Sequence, residues 1–233
     1  MKKIELLIIF AVALISANVF AEKPNKSAYD EVSGGLYSRN VSEGMIENPT
    51  PENSVLVYGA TGEDGSKLWF ADKNSNWQTT VETTFMTLIL PPVPKGADVK
   101  LKQGGFFKHE TTGGMVGIVP GKLVYNTTDT WYEITNTEWN FKVPKDKSLY
   151  FIGYHSILLP GSNTYEGMKA AWEKYTSENN VIGGIPNSQE KYDKYMLKME
   201  IKVLKKLQKQ YKGTDWEPLI KDRIAEASAE LKK

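Results

Sequence analysis

The sequence predicts an α+β protein in which an antiparallel β-sandwich of about seven or eight strands precedes a helical region with an αα-hairpin. Short β-branched and aromatic runs recur about every ten residues between Val55 and Leu159, which is the spacing of sandwiches and barrels. No helical period separates these runs, so parallel βαβ units are not expected. After Pro160 the apolar residues recur every three or four positions, as they do in helices.

Alternation assigns faces to several of the strands. Trp139, Phe141 and Val143 alternate with polar neighbours, which predicts a strand with one apolar face. The run 149–154 is apolar on both faces and is predicted to be the central strand of a sheet. Four further residues lie at even separations and would share one face of a single strand: Trp77, Val81, Phe85 and Ile89.

Three helices are predicted in the last third of the chain. Asn163 or Thr164 can cap the first, and Ser188 can cap the second. Gly213 ends the second helix and makes a tight αα-hairpin with the third easy to form. The third helix covers about 218–231, and its proline lies in the first turn, where a missing N–H costs little.

The second predicted helix, residues 188–212, has a lysine stripe opposite a broad apolar side. The lysines are spaced three or four apart: Lys191, Lys194, Lys198, Lys202, Lys205, Lys209 and Lys212. Such a helix could lie on anionic lipid or on a wall polymer. In the favoured interpretation the lysine face is solvated, and the apolar side of the helix is buried under the last helix and the sandwich. The reason is that the last helix has an apolar stripe that needs a partner.

The N-terminus has the pattern of an export signal. Lys2 and Lys3 precede an apolar run from Leu6 to Ile15, and Ala21 ends an Ala-x-Ala-like cleavage site. The run is too short for a standard membrane span. We therefore expect a signal peptide at 1–21 that is removed after Ala21.

The rest of the chain divides by composition. Residues 22–53 are polar and rich in Gly, Ser, Asn and Pro, which predicts a flexible leader. Residues 54–160 are predicted to form the β-sandwich domain. Residues 161–233 are predicted to form the helical region packed on it. No other apolar stretch reaches membrane length, so no transmembrane segment is expected in the mature chain.

Composition narrows the possible functions. The chain has no cysteine, which rules out disulfides, thiol nucleophiles and a lipidated cysteine. A net charge of +1 does not suit a nucleic-acid binder. The two histidines do not predict a metal or catalytic site. His109 and Glu110 are adjacent on a strand and point to opposite faces, and His155 has no acidic neighbour to orient it.

The segment 55–65 reproduces a strand followed by Gly-x-x-Gly-x-x-Gly, with glycines at 59, 62 and 65. It resembles the dinucleotide loop of extended short-chain dehydrogenases. That loop must lead directly into a helix, whose N-terminal N–H groups hold the pyrophosphate. Residues 66–72 alternate instead, so we predict a glycine-rich hairpin turn and no cofactor.

Asp72, Asn74 and Asn76 resemble the start of a calcium loop. The loop also requires Gly at its sixth position and Glu at its twelfth. Trp77 and Thr83 occupy those positions. A polar turn is therefore predicted, and no metal is assigned.

Trp131 and Tyr132 are the candidate ligand-binding residues. They follow a polar turn, and flat aromatic faces can bury the apolar C–H groups of a sugar ring. In the favoured alternative Trp131 joins other large aromatic residues in the sandwich core.

Three segments carry a resemblance to a known kind of domain: Gly104-Gly105-Phe106, Val119–Tyr125 and Lys147–Ile152. Together they resemble uncharacterised exported bacterial domains with a prealbumin-like or carboxypeptidase-regulatory-like β-sandwich. The resemblance covers about residues 55–158. It implies a small sandwich without an active site, often found in envelope lipoproteins, although this chain lacks the cysteine that would be lipidated.

The expected function is that of an exported, non-catalytic cell-envelope protein of binding or structural type. Another envelope protein or a glycan would be its partner. The first alternative is a periplasmic or surface glycan-binding module that uses Trp131 and Tyr132. The second is a hydrolase whose carboxylate pair has no recognisable motif.

Overall fold

The computed structural model describes residues 30–112, 126–135, 138–179 and 183–233. Its strands are β1 (Ser42–Glu43), β2 (Ser54–Thr61), β3 (Lys67–Asp72), β4 (Gln78–Glu82), β5 (Thr87–Ile89), β6 (Val93–Pro94), β7 (Asp98–Thr112), β8 (Asn126–Glu133), β9 (Phe141–Lys142) and β10 (Leu149–His155). The helices that follow are α1 (Tyr165–Glu178), α2 (Gln189–Gln210) and α3 (Trp216–Glu230). The predicted fold class, a β-sandwich followed by helices, is confirmed. The predicted signal peptide and residues 119–125 of the resemblance lie outside the described residues.

The strands form two sheets. The first sheet has the order β1-β4-β3-β7-β8, with β9 also paired to β7. The second has the order β10-β2-β5, with β6 also paired to β2. All described pairs are antiparallel except β2 with β10, which is parallel. Strands β3 to β9 lie between β2 and β10 in sequence, so this pair is not a βαβ unit.

Two apolar cores divide the molecule into three layers. The sandwich core lies between the sheets and is built around Val55, Val57, Leu68, Phe70, Trp77, Leu88, Leu90, Val93, Val99, Phe106, Trp139, Val143 and Ile157. The hairpin core lies between the second sheet and the helices α2 and α3, and is built around Leu56, Tyr58, Ala60, Val203, Leu204, Leu207, Trp216 and Ile220. The α2–α3 pair is the predicted αα-hairpin, and it packs on the sandwich.

Strand β2 contributes to both cores, because successive side chains of a strand point to opposite faces. Val55 and Val57 face the sandwich core, whereas Leu56 and Tyr58 face the hairpin core. Every residue of β2 is buried. The prediction that 149–154 is the central strand is therefore wrong. Strand β10 is covered on both faces, as its composition indicated, but it lies at the end of its sheet.

The predicted strand through Trp77, Val81, Phe85 and Ile89 is interrupted. Strand β4 ends at Glu82 and β5 begins at Thr87. Phe85 lies in the turn between them, with a φ of 54° and 75% of its surface exposed. Even spacing is therefore no evidence of a shared face here, since a chain reversal falls inside the pattern.

The helix caps follow the sequence predictions. The Thr164 side chain accepts a hydrogen bond from the Gly167 amide and caps α1. The Ser188 side chain accepts from the Lys191 amide and caps α2. Gly213 has a φ of 78° in the connection to α3. No helix among the described residues is long and apolar enough to cross a membrane.

The described part of the predicted leader, residues 30–53, makes specific contacts with the sandwich. Leu36 is fully buried, and Met45 packs against the sandwich core. Strand β1 pairs with β4 through the register of Ser42 with Thr79. This part of the chain therefore contributes to both a sheet and a core.

Candidate functional site

Trp131 and Tyr132 lie on opposite faces of the first sheet, because they are neighbours in strand β8. Tyr132 faces inward, where it packs against the sandwich core and stacks on Phe106 with ring centroids 5.4 Å apart. Trp131 faces outward and contacts Phe107 at a centroid distance of 5.0 Å. The structure therefore does not bring the two predicted residues into one binding surface.

The outer face around Trp131 is partly covered by the described part of the leader. The Tyr37 ring lies 5.6 Å from the Phe107 ring and 5.8 Å from the Trp131 ring. The guanidinium of Arg39 lies 4.0 Å from the centroid of Trp69 on the same sheet. A ligand that stacks on Trp131 would have to share this face with Tyr37.

The adjacent glycines of β7 have a steric explanation. A Cβ at Gly105 would lie 2.3 Å from the Trp131 ring, so the tryptophan covers the backbone on the outer face. A Cβ at Gly104 would lie 2.8 Å from Leu68 on the inner face. Both glycines are thus required by close packing on the two faces of the sheet.

The glycine-rich segment 59–65 leads into a strand. Gly59 lies within β2, and the chain continues into β3, which belongs to the other sheet. The prediction of a turn without a following helix is confirmed. The prediction of a hairpin is wrong, because the segment carries the chain from one sheet to the other and does not join paired strands.

Glu63, within this segment, is a buried carboxylate that holds the chain after β10. It accepts hydrogen bonds from the Ser156 hydroxyl at 2.5 Å and from the amides of Ile157 at 2.8 Å and Leu158 at 3.2 Å. Burial raises the pKa of Glu63, although these three donors oppose the shift. The carboxylate therefore links the ends of the two parallel strands β2 and β10.

The two histidines occupy different environments. His155 ends β10, is 2% exposed, and donates from Nε2 to the Ile152 carbonyl at 2.9 Å. Burial lowers the pKa of His155, so its neutral form is favoured. His109 is exposed and pairs across the strands with Asp129 at 2.5 Å. The sequence does not predict that Asp129 is the partner of His109, because the two residues lie on different strands. It does predict that Glu110 points to the opposite face.

The Asp72 segment is the polar turn that the sequence predicted. It joins β3 to β4, and the Asp72 carboxylate accepts a hydrogen bond from the Trp77 amide at 3.1 Å. No group of three or more His, Asp or Glu side chains among the described residues is arranged to hold a metal ion.

A buried polar cluster joins the hairpin to the second sheet. Glu200 of α2 is 4% exposed. It accepts hydrogen bonds from the Tyr58 hydroxyl at 3.0 Å and from Nε and Nη2 of Arg223 at 2.9 and 2.7 Å. Arg223 also contacts Glu226 at 3.3 Å and Glu230 at 3.5 Å. Every carboxylate oxygen of Glu200 is thus bonded within the fold.

A cleft of about 500 Å³ opens beside this cluster. It is lined by Tyr58, Lys147, Leu149, Tyr150, Phe151, Glu200, Arg223 and Glu226. The cleft offers a small polar or charged ligand both a lysine and aromatic side chains. However, the guanidinium beside it is already neutralised by carboxylates of this chain, so the arrangement favours a structural ion pair over an anion site.

Glu200 and Arg223 are not among the residues predicted from the sequence. The available signal was a charged residue on the apolar side of each helix. Glu200 lies four positions before Leu204, and Arg223 lies three positions after Ile220. Charged residues at such positions need a buried partner, so the pair could have been proposed from the pattern.

No protein-family model matches the chain, and neither does a curated protein or a solved structure.

Proposed function

We propose that this chain is an exported, non-catalytic protein of the cell envelope, of binding or structural type. The observation that supports a non-catalytic role is the use of the buried carboxylates within the fold. Glu63 holds three donors after β10, and Glu200 holds donors from β2 and α3. A catalytic carboxylate must instead present an oxygen to a substrate.

The N-terminal signal pattern supports export, and its test is a fractionation. The full chain with a C-terminal tag is expressed in a Gram-negative host, and the periplasmic fraction is analysed by intact mass and N-terminal sequencing. We expect a mature chain that begins at Glu22. Ile9→Arg, which places a charge in the apolar run, should keep the chain unprocessed in the cytoplasm. A wild-type chain that behaves like this control would contradict the proposal.

The non-catalytic role is tested with a panel of chromogenic glycosides. We expect no turnover above buffer. Turnover by the wild type that disappears in Glu63→Gln or Glu200→Gln, with the fold intact by circular dichroism, would overturn the proposal in favour of the hydrolase alternative.

Glycan binding is the second candidate, and one observation favours it. Trp131 lies on the outer face of the first sheet, beside Phe107, and not in the sandwich core. Soluble glycans are expected to quench tryptophan fluorescence in the wild type but not in Trp131→Ala. Tyr132→Phe is the matched control, because Tyr132 packs inward and should leave the titration unchanged.

A further inference from the structure

The turn between β4 and β5 places two large apolar residues in an unfavourable backbone conformation. Thr84 and Thr87 exchange both backbone hydrogen bonds at 3.2 Å, which closes a two-residue turn. The central residues Phe85 and Met86 have φ values of 54° and 58°. Asn and Gly are the usual residues of such a turn. Bulky side chains are strained in this region, so local folding does not explain their presence.

Both side chains project into solvent. Phe85 is 75% exposed and Met86 is 46% exposed. Together with Val32 they are the exposed large hydrophobic residues of the described chain. Exposed apolar side chains on a strained turn are typical of a contact surface.

Helix α2 holds this turn through Lys206. The Lys206 ammonium donates to the Thr84 carbonyl at 3.0 Å and to the hydroxyls of Thr84 and Thr87 at 2.6 and 2.8 Å. It also lies 5.7 Å from the centroid of the Phe85 ring. The apolar turn is therefore fixed directly against the lysine-rich helix.

The neighbouring side of α2 carries unbalanced positive charge. Lys202 and Lys209 lie four positions before and three positions after Lys206, so the three share one side of the helix. Between 198 and 212 the one carboxylate is Glu200, which is buried and bonded to Arg223. At the turn, Asp64 lies 3.5 Å from the Met86 amide and offsets one of these charges. The net charge of the surface stays positive.

We propose that the apolar–basic patch, formed by Phe85, Met86, Lys202, Lys206 and Lys209, docks on an anionic lipid bilayer. Phe85 and Met86 enter the boundary between headgroups and acyl chains, and the lysines neutralise lipid phosphates. Charge alone would also suit a wall polymer, but such a polymer offers no apolar phase for the turn. A bilayer provides both an apolar phase for Phe85 and Met86 and phosphates for the lysines. The inference rests on the proposed function, because export brings the chain to a membrane surface.

The test is flotation of the mature chain with vesicles of phosphatidylcholine, with and without phosphatidylglycerol. We expect binding to the anionic vesicles that weakens as salt is added. Phe85→Asn combined with Met86→Gly should bind about tenfold more weakly, because it removes the inserted side chains. This variant should also unfold at higher urea than the wild type, since it relieves the turn, so lost binding would not reflect misfolding.

Lys202→Gln combined with Lys209→Gln should weaken binding about thirtyfold, at about 1 kcal/mol for each lysine near the surface. The matched control is Lys73→Gln with Lys142→Gln, which removes one exposed lysine from the turn between β3 and β4 and one from β9 and should leave binding unchanged. Wild-type chain that does not float, or a turn variant that floats as well as the wild type, would overturn the inference. So would equal losses in the lysine variant and its control. A chain that is exported yet does not bind vesicles refutes only this inference, whereas one that binds vesicles but is not exported refutes the proposed function.

Discussion

The hydroxyl of Tyr58 donates to Oε1 of Glu200 at 3.0 Å across 142 residues of sequence, which joins the buried strand β2 to the middle of α2. Arg223 of α3 binds both oxygens of the same carboxylate. Burial, followed by the charge of Glu200, raises the pKa of Tyr58 well above its ordinary value. The phenol therefore remains a donor, and three elements share one buried charge.

Arg223→Met is expected to destabilise the fold, because it leaves the Glu200 carboxylate buried without its counter-ion. Since the Arg223 side chain is 29% exposed, we expect a loss of about 2 kcal/mol, below the range for fully buried pairs. Tyr58→Phe should cost about 1 kcal/mol. Urea unfolding measures both. Lys221→Met is the control, since the Lys221 side chain is 55% exposed and its ion pair with Glu217 should contribute little. An Arg223→Met loss no larger than that of Lys221→Met would contradict the assigned role.

The fold class could be predicted because backbone periodicity is local information. The change of period near Pro160, the caps at Thr164 and Ser188, and Gly213 between the last helices all appear in the structure. Strand order could not be predicted, because pairing joins distant segments. The parallel contact of β2 with β10 has no local signature, and it moves the centre of the second sheet from β10 to β2.

The polar clusters were harder to predict for the same reason. Glu63 and Ser156 are 93 positions apart, and the sequence around Glu63 does not indicate which groups donate hydrogen bonds to it. Alternation along a strand predicts that His109 and Glu110 point to opposite faces. The same rule predicts that Trp131 and Tyr132 point to opposite faces and do not share a surface. Alternation thus predicts which residues cannot meet more reliably than which residues do.

Glu63 should give the stability a defined pH dependence. Burial raises its folded-state pKa above the ordinary 4.5, so the folded state keeps this proton at higher pH than the unfolded chain. Its contribution to stability is therefore fully present below pH 4.5 and is lost as the pH rises through the folded-state pKa.

Glu63→Gln removes that titration. The unfolding free energy of the wild type minus that of Glu63→Gln should fall as the pH rises from 4.5 and then level off. Urea unfolding of both chains over a pH series measures the difference, and contributions from other groups cancel. A flat difference would show that the three hydrogen bonds balance burial, and a difference that grows with pH would show that they outweigh it.

Leu36 tests whether the region predicted as a flexible leader is part of the folded unit. It is fully buried, so Leu36→Ala should destabilise the protein by about 2–4 kcal/mol. Val32 is 55% exposed in the same segment, and Val32→Ala should change stability by less than about 0.5 kcal/mol. Thermal unfolding of the two variants gives the comparison. Equal, small effects would mean that the leader does not stabilise the sandwich.

Substitution of Gly59 tests whether the glycine-rich segment is explained by close packing or by dinucleotide binding. A Cβ at Gly59 would lie 2.8 Å from Cγ1 of Ile152 and 3.2 Å from the Gly153 carbonyl oxygen in the paired strand. Gly59→Ala should therefore cost about 1–3 kcal/mol through overpacking. The cost should shrink in an Ile152→Ala background, because the nearest clashing atom is then absent.

Gly65 provides the internal control, because a Cβ there meets nothing within 4 Å and its φ is 72°. Gly65→Ala should cost about 1 kcal/mol from backbone conformation alone, with Gly65→Asn cheaper because asparagine tolerates positive φ. Neither cost should depend on Ile152. In double-mutant cycles measured by urea unfolding, we therefore expect Ile152 to be coupled to Gly59 but not to Gly65. If both pairs were additive, close packing between β2 and β10 would not be the reason for a glycine at position 59, and the first glycine of the motif would need another explanation.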